Sequence, residues 1–281
     1  MKIAIQGGNA SFHDISTRFY FNKNFGIAKP ELICCDTFVE VFENLISKKA
    51  DYAVLAIENS IAGSILGNYK LLQQYDVKII GEIKLRIILD IMALPNQSIE
   101  EIHTVRSHYM ALLQCHEFLS KYPHIKHVEG VDTADSARDI RLNTELGVAA
   151  IAGRVAAEDY NLNILSSGIE DDKQNYTRFF ILSRKEDTIE VEAEKATLSF
   201  QLHNEVGSLS KVLSMFNEFD VNLTRIQSLP RIGFPDEYTF HVDCDWTDYA
   251  DYKESIRKIK TMVSDLTILG EYKKGEIHNS W

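Results

Sequence analysis

The sequence predicts an α/β protein with a mostly parallel sheet, followed by a smaller module of β-α-β-β-α-β order. Three observations predict it. Short apolar strands alternate with amphipathic helical stretches through the first 182 residues. The segment Asp51 to Ile57 is almost continuously apolar, as a strand covered on both faces requires. After residue 195 the rhythm shifts to strand, helix, two strands, helix and strand, the ferredoxin-like order.

Lys2 to Gln6 reads as the first strand, and Gly7-Gly8-Asn9-Ala10-Ser11-Phe12 as a Gly-rich turn into a helix from about Ser11 to Phe21. Thr37 suits the N-cap of a helix to about Lys48, with Phe38, Val41, Phe42 and Leu45 on one face. Glu58-Asn59-Ser60 closes the apolar strand, and a helix spans about Ile65 to Gln74. Val77 to Asp90 is strand-like. Thr104 to Ser107 ends another strand, and Ser107 is placed to cap one helix from His108 to about Lys121. Asp132 or Thr133 caps a helix to about Leu142. Gly147 to Ile151 is a small-residue strand, with a helix from about Arg154 to Tyr160. The charged tract 183–195, which carries few apolar residues, reads as a linker. In the module beyond it, strands are expected over 196–203, 222–231, 237–243 and 268–272, and helices over 208–219 and 249–263.

Composition narrows the function. With 281 residues, 45 % hydrophobic and 25 % charged, the chain has room for two ordinary domains. A formal net charge of -11 argues against a nucleic-acid partner, which calls for clustered Lys and Arg. The most apolar stretch, Ile83 to Leu94, is interrupted by Lys84, Arg86 and Asp90, so no membrane span is expected. Cys34, Cys35, Cys115 and Cys244 show neither metal spacing nor a framework of pairs, which fits reduced thiols in the cytoplasm. His108 and His116 stand eight residues apart with no carboxylate beside them, so no metal site is expected.

In open α/β sheets, ligands sit beyond the carboxyl ends of strands and at helix starts. Five polar segments occupy such places. The turn from Gly7 to Phe12 lacks the G-x-G-x-x-G spacing of a dinucleotide site and reads equally as a tight turn or a ligand contact. Glu58, Asn59 and Ser60 line a strand end, where capping is the competing reading. Ser107 and Gln114 lie two turns apart on the expected helix. Asp132-Thr133-Ala134-Asp135 is by itself a capping signal. Asn175-Tyr176-Thr177-Arg178-Phe179 puts an Arg at the head of an apolar strand. Such an Arg needs an anion, either a ligand or the run Glu170-Asp171-Asp172.

Taken in order, these segments resemble the prephenate dehydratase family. GGNASF, IENSIAG, SHYMALLQC, DTADSA and NYTRF stand where that family has a Gly-rich turn, I-E-N-S-x-x-G, S-H-P-Q-A-L-x-Q-C, an S-T-A cap and N-x-T-R-F. The C-terminal part resembles an ACT domain. The resemblance implies a catalytic region over residues 1–182, shaped like a type II periplasmic binding protein. One lobe would comprise about 1–77 and 166–182, the other about 78–165, and an ACT-like regulatory domain would follow at 196–281. It implies loss of water and carbon dioxide from prephenate to give phenylpyruvate, without cofactor or metal. By resemblance Thr177 assists the leaving hydroxyl, supported by Glu58 and Asn59. Arg178, Ser60, Ser107, Gln114, Thr133 and Ser11 would bind substrate.

Two departures stand out. Tyr109-Met110 replaces the family's Pro-Gln. The family's phenylalanine-sensing boxes, G-A-L and E-S-R-P, read here Gly207-Ser208-Leu209 and Gln227-Ser228-Leu229-Pro230. Asn204, Gly207, Ser208, Leu209, Gln227 and Ser228 are the candidate L-phenylalanine contacts in a homodimer or homotetramer. Arogenate, which differs by a side-chain amine, is the alternative substrate. An amino-acid-responsive binding module without catalysis is the alternative function.

Overall fold

The computed structural model describes residues 1–187, 192–202, 205–231, 234 and 237–279. By compactness the chain divides into one unit of residues 1–65, 83–179 and 277–281, and another of residues 66–82 and 180–276.

In chain order the first stretch is β1 (Lys2–Gln6), α1 (Phe12–Phe25), β2 (Glu31–Cys35), α2 (Phe38–Ile46), β3 (Tyr52–Asn59), β4 (Gly63–Ser64), α3 (Leu66–Gln74) and β5 (Val77–Arg86). The chain then builds β6 (Asp90–Ala93), β7 (Thr104–Ser107), α4 (Tyr109–Leu113), α5 (His116–Leu119), β8 (Lys126–Glu129), α6 (Thr133–Asn143), β9 (Val148–Ala152), α7 (Arg154–Asp159) and β10 (Asn163–Ser166). It returns through β11 (Tyr176–Arg184). The remainder is β12 (Lys195–Leu202), α8 (Ser208–Glu218), β13 (Asn222–Pro230), β14 (Tyr238–Asp245), α9 (Tyr249–Ile259), β15 (Ser264–Tyr272) and β16 (Ile277–His278).

Three sheets organise these elements. The first has the order β16-β5-β11-β3-β1-β2, with β4 attached to β3. β1 pairs in parallel with both β2 and β3 and packs against α1 and α2, and the consecutive residues Ile3, Ala4 and Ile5 are fully buried, so both its faces are covered. α2 covers one face with Val41, Phe42 and Leu45, each at 0 % exposure. Each such side chain contributes roughly 1.5–3 kcal/mol by leaving water. Its N-cap is Thr37, whose hydroxyl accepts from Glu40 N as the sequence predicts.

The second sheet, of order β10-β6-β9-β7-β8, is mixed: β7 runs parallel to β8 and β9, while β6 runs antiparallel to β9 and β10. Small residues in β9 (VAAIA, all buried) let α6 lie close over it. The third sheet, β13-β14-β12-β15, is antiparallel. On one face α8 and α9 bury Val212, Phe216, Tyr252, Ile256 and Ile259 against Leu198, Phe200 and Val242. This is the β-α-β-β-α-β order read from the sequence.

Several expectations need correction. The helix expected from His108 to about Lys121 is two short helices, α4 and α5, broken at Gln114 and Cys115. The Gln114 carbonyl accepts from Asp171 N at 2.7 Å instead of serving a longer helix. Ser107 does not cap α4: His108 does, its ring accepting from Met110 N, while the Ser107 hydroxyl donates to the Ile151 carbonyl at 2.6 Å. The strand expected over Val77 to Asp90 ends at Arg86, and a separate β6 starts at Asp90. β2, β8 and β10 have no counterpart in the sequence reading. Of the alternatives for α6, Asp132 is the cap, accepting from Ala134 N and Asp135 N. Asn59 makes a turn to Ile61 N and Ala62 N that leads into β4, so no helix is capped there.

Candidate active site

Adjacency of β3 and β11 in the first sheet creates the site. Residues 58–60 and 174–178 lie far apart in sequence, yet the ladder sets them side by side. Ser60 fastens the two segments: its N–H donates to the Tyr176 carbonyl at 2.8 Å, and its hydroxyl donates to the Gln174 carbonyl at 2.7 Å. The same hydroxyl accepts from Tyr176 N at 2.9 Å.

Asn59 is the hub. Its Oδ1 accepts from Ile61 N at 3.0 Å and Ala62 N at 2.9 Å. Backbone N–H groups are donors only, so the other end of the side chain must be the NH2 group. That Nδ2 reaches Asn175 Oδ1 at 2.7 Å and Thr177 Oγ1 at 3.0 Å, with the Tyr176 carbonyl at 3.3 Å. Thr177 therefore accepts a hydrogen bond from Asn59, and its own hydroxyl proton remains available to donate elsewhere.

Arg178 follows on the opposite face of the strand. It is 3 % exposed, and its Nη1 lies 3.4 Å from Glu58 Oε1. The alternative partner named from the sequence, the run Glu170 to Asp172, is otherwise engaged. Glu170 pairs with Arg86 at 3.6 Å and Lys173 at 3.5 Å, and accepts from Leu89 N. Phe179 is buried behind the site, edge-on to the His13 ring at 5.0 Å. His13 accepts from Ala56 N through Nε2. Burial without a compensating charge holds its imidazole well below the usual range, at about 3.

A second group forms around the opening turn. An atom added at Gly7 as Cβ would lie 3.4 Å from Asp132 Oδ2 and 3.5 Å from Ser11 Oγ, so these two side chains flank it. Gly7 has φ +87°, a conformation glycine adopts without strain. A Cβ at Gly8 would come 2.9 Å from Asp135 Oδ1. Burial pushes the Asp135 carboxyl up, and Asp132, Asp139 and Asp36 act in the same direction against Arg138. Tyr160 donates to the Asn9 carbonyl at 3.0 Å, and Arg18 bridges Asp14 and Asp159.

The structure thus gathers Glu58, Asn59, Ser60, Thr177 and Arg178. Gln114, at the end of α4, joins through Asn175, whose Nδ2 donates to Gln114 Oε1 at 2.9 Å. Among the described residues, no hydrogen bond joins Ser11, Ser107 or Thr133 to that group. Ser11 caps α1, Ser107 is fully buried, and Thr133 opens α6. The sequence reading leaves Asn175, which is completely buried, without a role, and gives Asp132 only the role of a helix cap. Asn175 heads the N-x-T-R-F box, and a polar side chain at a buried strand start was the available signal. Of the regulatory candidates, Gly207 has φ +83° at the start of α8, which Ser208 opens, and Leu209 packs on the helix–sheet core. Gln227 Nε2 donates to the carbonyl of the exposed Ser228. Asn204 lies outside the described residues.

Residues 3–187 match the prephenate dehydratase family. The chain belongs to that family. It is 34 % identical to a bifunctional chorismate mutase/prephenate dehydratase of Aquifex aeolicus, over 98 % of this chain and 74 % of that protein. It is also 34 % identical to an arogenate dehydratase of Petunia hybrida, over 97 % of this chain and 66 % of the relative. Among solved structures it superposes with TM-score 0.87 on a protein described as the quorum-quenching acylase GqqA, at 26 % identity over 98 % of both chains. The prephenate dehydratase of Arthrobacter aurescens in complex with L-Phe gives TM-score 0.85 at 26 % identity, covering 98 % of this chain and 90 % of that one. The chain is an enzyme of this family's activity, converting prephenate to phenylpyruvate with loss of water and carbon dioxide, in phenylalanine biosynthesis. No helix among the described residues is long and apolar enough to cross a membrane.

Proposed function

We propose that the Glu58, Asn59, Thr177 and Arg178 group carries the dehydration, with Thr177 donating to the departing hydroxyl. The observation that carries this reading is the hydrogen bond from Asn59 to Thr177 Oγ1. Loss of the ring carboxylate as carbon dioxide leaves an electron pair that completes the aromatic ring and expels hydroxide. One proton turns that hydroxide into water. A free threonine is a poor acid, and an N–H aimed at its oxygen stabilises negative charge developing there. Asn59 supplies that N–H and leaves the Thr177 proton facing the substrate.

By resemblance Arg178 would bind substrate. Its depth favours support of Glu58, which it holds beside the site. Ser60, Gln114, Thr133, Ser11 and Ser107 complete the substrate lining in this proposal, with Ser107 acting from beneath through the β7–β9 ladder.

The catalytic region is a two-lobed body of the type II periplasmic-binding-protein kind. Its support is topological: the chain leaves the first sheet after β5, builds the second sheet, and returns through β11 between β3 and β5. The limits proposed are those read from the sequence, 1–182, a linker over 183–195 and a regulatory module over 196–281, with the linker shortened at both ends because β11 runs to Arg184 and β12 begins at the buried Lys195. The module's βαββαβ order supports an ACT domain that senses L-phenylalanine, and the bound L-Phe of the Arthrobacter aurescens relative supports the same effector. β13 and β15 each have one neighbour in the third sheet, and side-by-side pairing through such an edge would give a homodimer or homotetramer. The cytoplasm is the proposed compartment, and no cofactor is invoked.

The test is turnover of the purified chain with prephenate and arogenate in competition, each with and without L-phenylalanine. Thr177→Ala is expected to lower kcat by about 100- to 10,000-fold while prephenate still binds, as loss of a positioned acid does. Retention of wild-type turnover in that variant removes Thr177 from the chemistry. Faster turnover of arogenate shifts the substrate to the amine.

A further inference from the structure

The two backbone N–H groups that hold Asn59 Oδ1 fix more than one side chain. Because they turn its NH2 group toward Asn175, the Asn175 atom at 2.7 Å must be the carbonyl oxygen. The other end of Asn175 is then the NH2 group, and it donates to Gln114 at 2.9 Å. Gln114 must present its own carbonyl oxygen there, which leaves Gln114 Nε2 as the donor turned away from Asn175. Three amides are locked in one orientation each. At the far end Asn59 donates to Thr177 Oγ1 at 3.0 Å.

This chain crosses between separate parts of the fold. Gln114 ends α4, which belongs to the second sheet's segment, whereas Asn59 ends β3 of the first sheet. Asn175 bonds through its side chain to both, and it is fully buried. The segment around it is pinned independently: Asn175 O accepts from Ile87 N at 2.8 Å, and the Gln114 carbonyl accepts from Asp171 N.

We propose that Asn175 is a positioning residue, the middle member of an amide relay through which docking of Gln114 sets Asn59 and thereby the Thr177 hydroxyl. The inference rests on the assignment of Thr177 proposed above. When the second-sheet segment docks, Gln114 takes one end of Asn175. The other end then holds the Asn59 amide in the position from which it donates to Thr177. When Gln114 withdraws, the buried amide loses an acceptor, and the Asn59 orientation is no longer enforced from that side. Catalytic geometry is thus tied to closure of the fold over the substrate.

The decisive comparison uses two Gln114 variants, since Gln114 is only partly buried and tolerates replacement better than Asn175 does. Gln114→Glu keeps an oxygen for Asn175 and loses the outward donor. Gln114→Met loses both. Both variants lose the outward donor and raise KM, and the relay predicts a kcat at saturating prephenate about tenfold or more higher in Gln114→Glu than in Gln114→Met. It predicts a fall in kcat of about 10- to 100-fold in Gln114→Met. A second arm uses Asn175→Leu. In the relay, Asn175→Leu combined with Gln114→Met is no slower than the worse single variant, because both break one chain. Equal kcat in the two Gln114 variants, or multiplying losses in the double variant, overturns the relay. Either result leaves the Thr177 assignment standing, and that assignment fails separately if Thr177→Ala keeps its turnover.

Discussion

At the scale of single residues, the site is made of weak groups made effective by their neighbours. Threonine and asparagine carry no charge, and the order of donors and acceptors decides what each can do. The residue types were legible in the sequence, because NYTRF and IENS put hydroxyl, amide, carboxylate and guanidinium at strand ends. Their mutual orientation was not legible, since which amide end faces which neighbour depends on a contact between residues more than a hundred positions apart. Burial sets His13 in the same way. Its imidazole is lowered from 6.5 to about 3 by desolvation, so the folded chain resists protonation while the unfolded chain does not. The unfolded state therefore binds more protons below pH 6.5, and stability falls as the pH drops from about 6.5 toward 3. His241, lowered to about 4 by burial, acts with the same sign. Replacing His13 by Gln removes its share. The urea midpoint of the variant should fall less between pH 6.5 and pH 4 than that of the wild type. Equal slopes would show that His13 titrates normally in the folded chain.

At the scale of elements, strongly patterned segments were read correctly and edge elements were missed for a physical reason. β3 is apolar and buried from Ala53 to Ile57 because both its faces are covered there, and the sequence shows it. β2 (ELICC) and β8 (KHVE) sit at sheet edges, where one side faces water and the hydrophobic period fades. The helix expected from His108 to about Lys121 had a continuous helical pattern. It breaks because Asp171 takes the Gln114 carbonyl, a tertiary contact that outweighs local propensity. A comparable constraint governs β15. A Cβ on Gly270 would lie 2.2 Å from the Ile79 carbonyl oxygen and 2.6 Å from its Cβ. Backbone cannot yield as the tip of a long side chain does, so β15 must shift from its partner or from Ile79. Gly270→Ala should cost about 3 kcal/mol, at the upper end of ordinary overpacking, read from the urea midpoint with an unchanged slope. An unchanged midpoint would mean that β15 moves freely against Ile79.

At the scale of the whole molecule, a chain with net charge -11 still buries ionic pairs where strands of different origin meet. Lys195, the first residue of β12, reaches Glu82 of β5 with Nζ at 2.9 and 3.0 Å from the two carboxylate oxygens, and both side chains are nearly inaccessible to water. Glu82 Oε1 also accepts from Gly275 N at 3.0 Å. Nearby on the same sheet face, Thr197 bonds to Asp243 and to Tyr272 at 2.6 Å each. Nothing in the charged tract 183–195 announced this pair, for a linker reading treats Lys195 as solvated. A buried pair of this kind contributes little over an apolar pair of equal volume, because both ions lose their hydration. Removing one partner is different, since the remaining charge keeps the desolvation cost and loses its compensation. Lys195→Met should therefore destabilise the chain by about 3–5 kcal/mol. Adding Glu82→Leu to Lys195→Met removes the stranded carboxylate and should recover most of that loss. A residue of about 1–3 kcal/mol would remain for the Gly275 N–H left without its acceptor. The sign of the interaction term in this double-mutant cycle is what matters. If the two losses simply add, Lys195 and Glu82 are not coupled in solution, and β12 is anchored to β5 by packing alone.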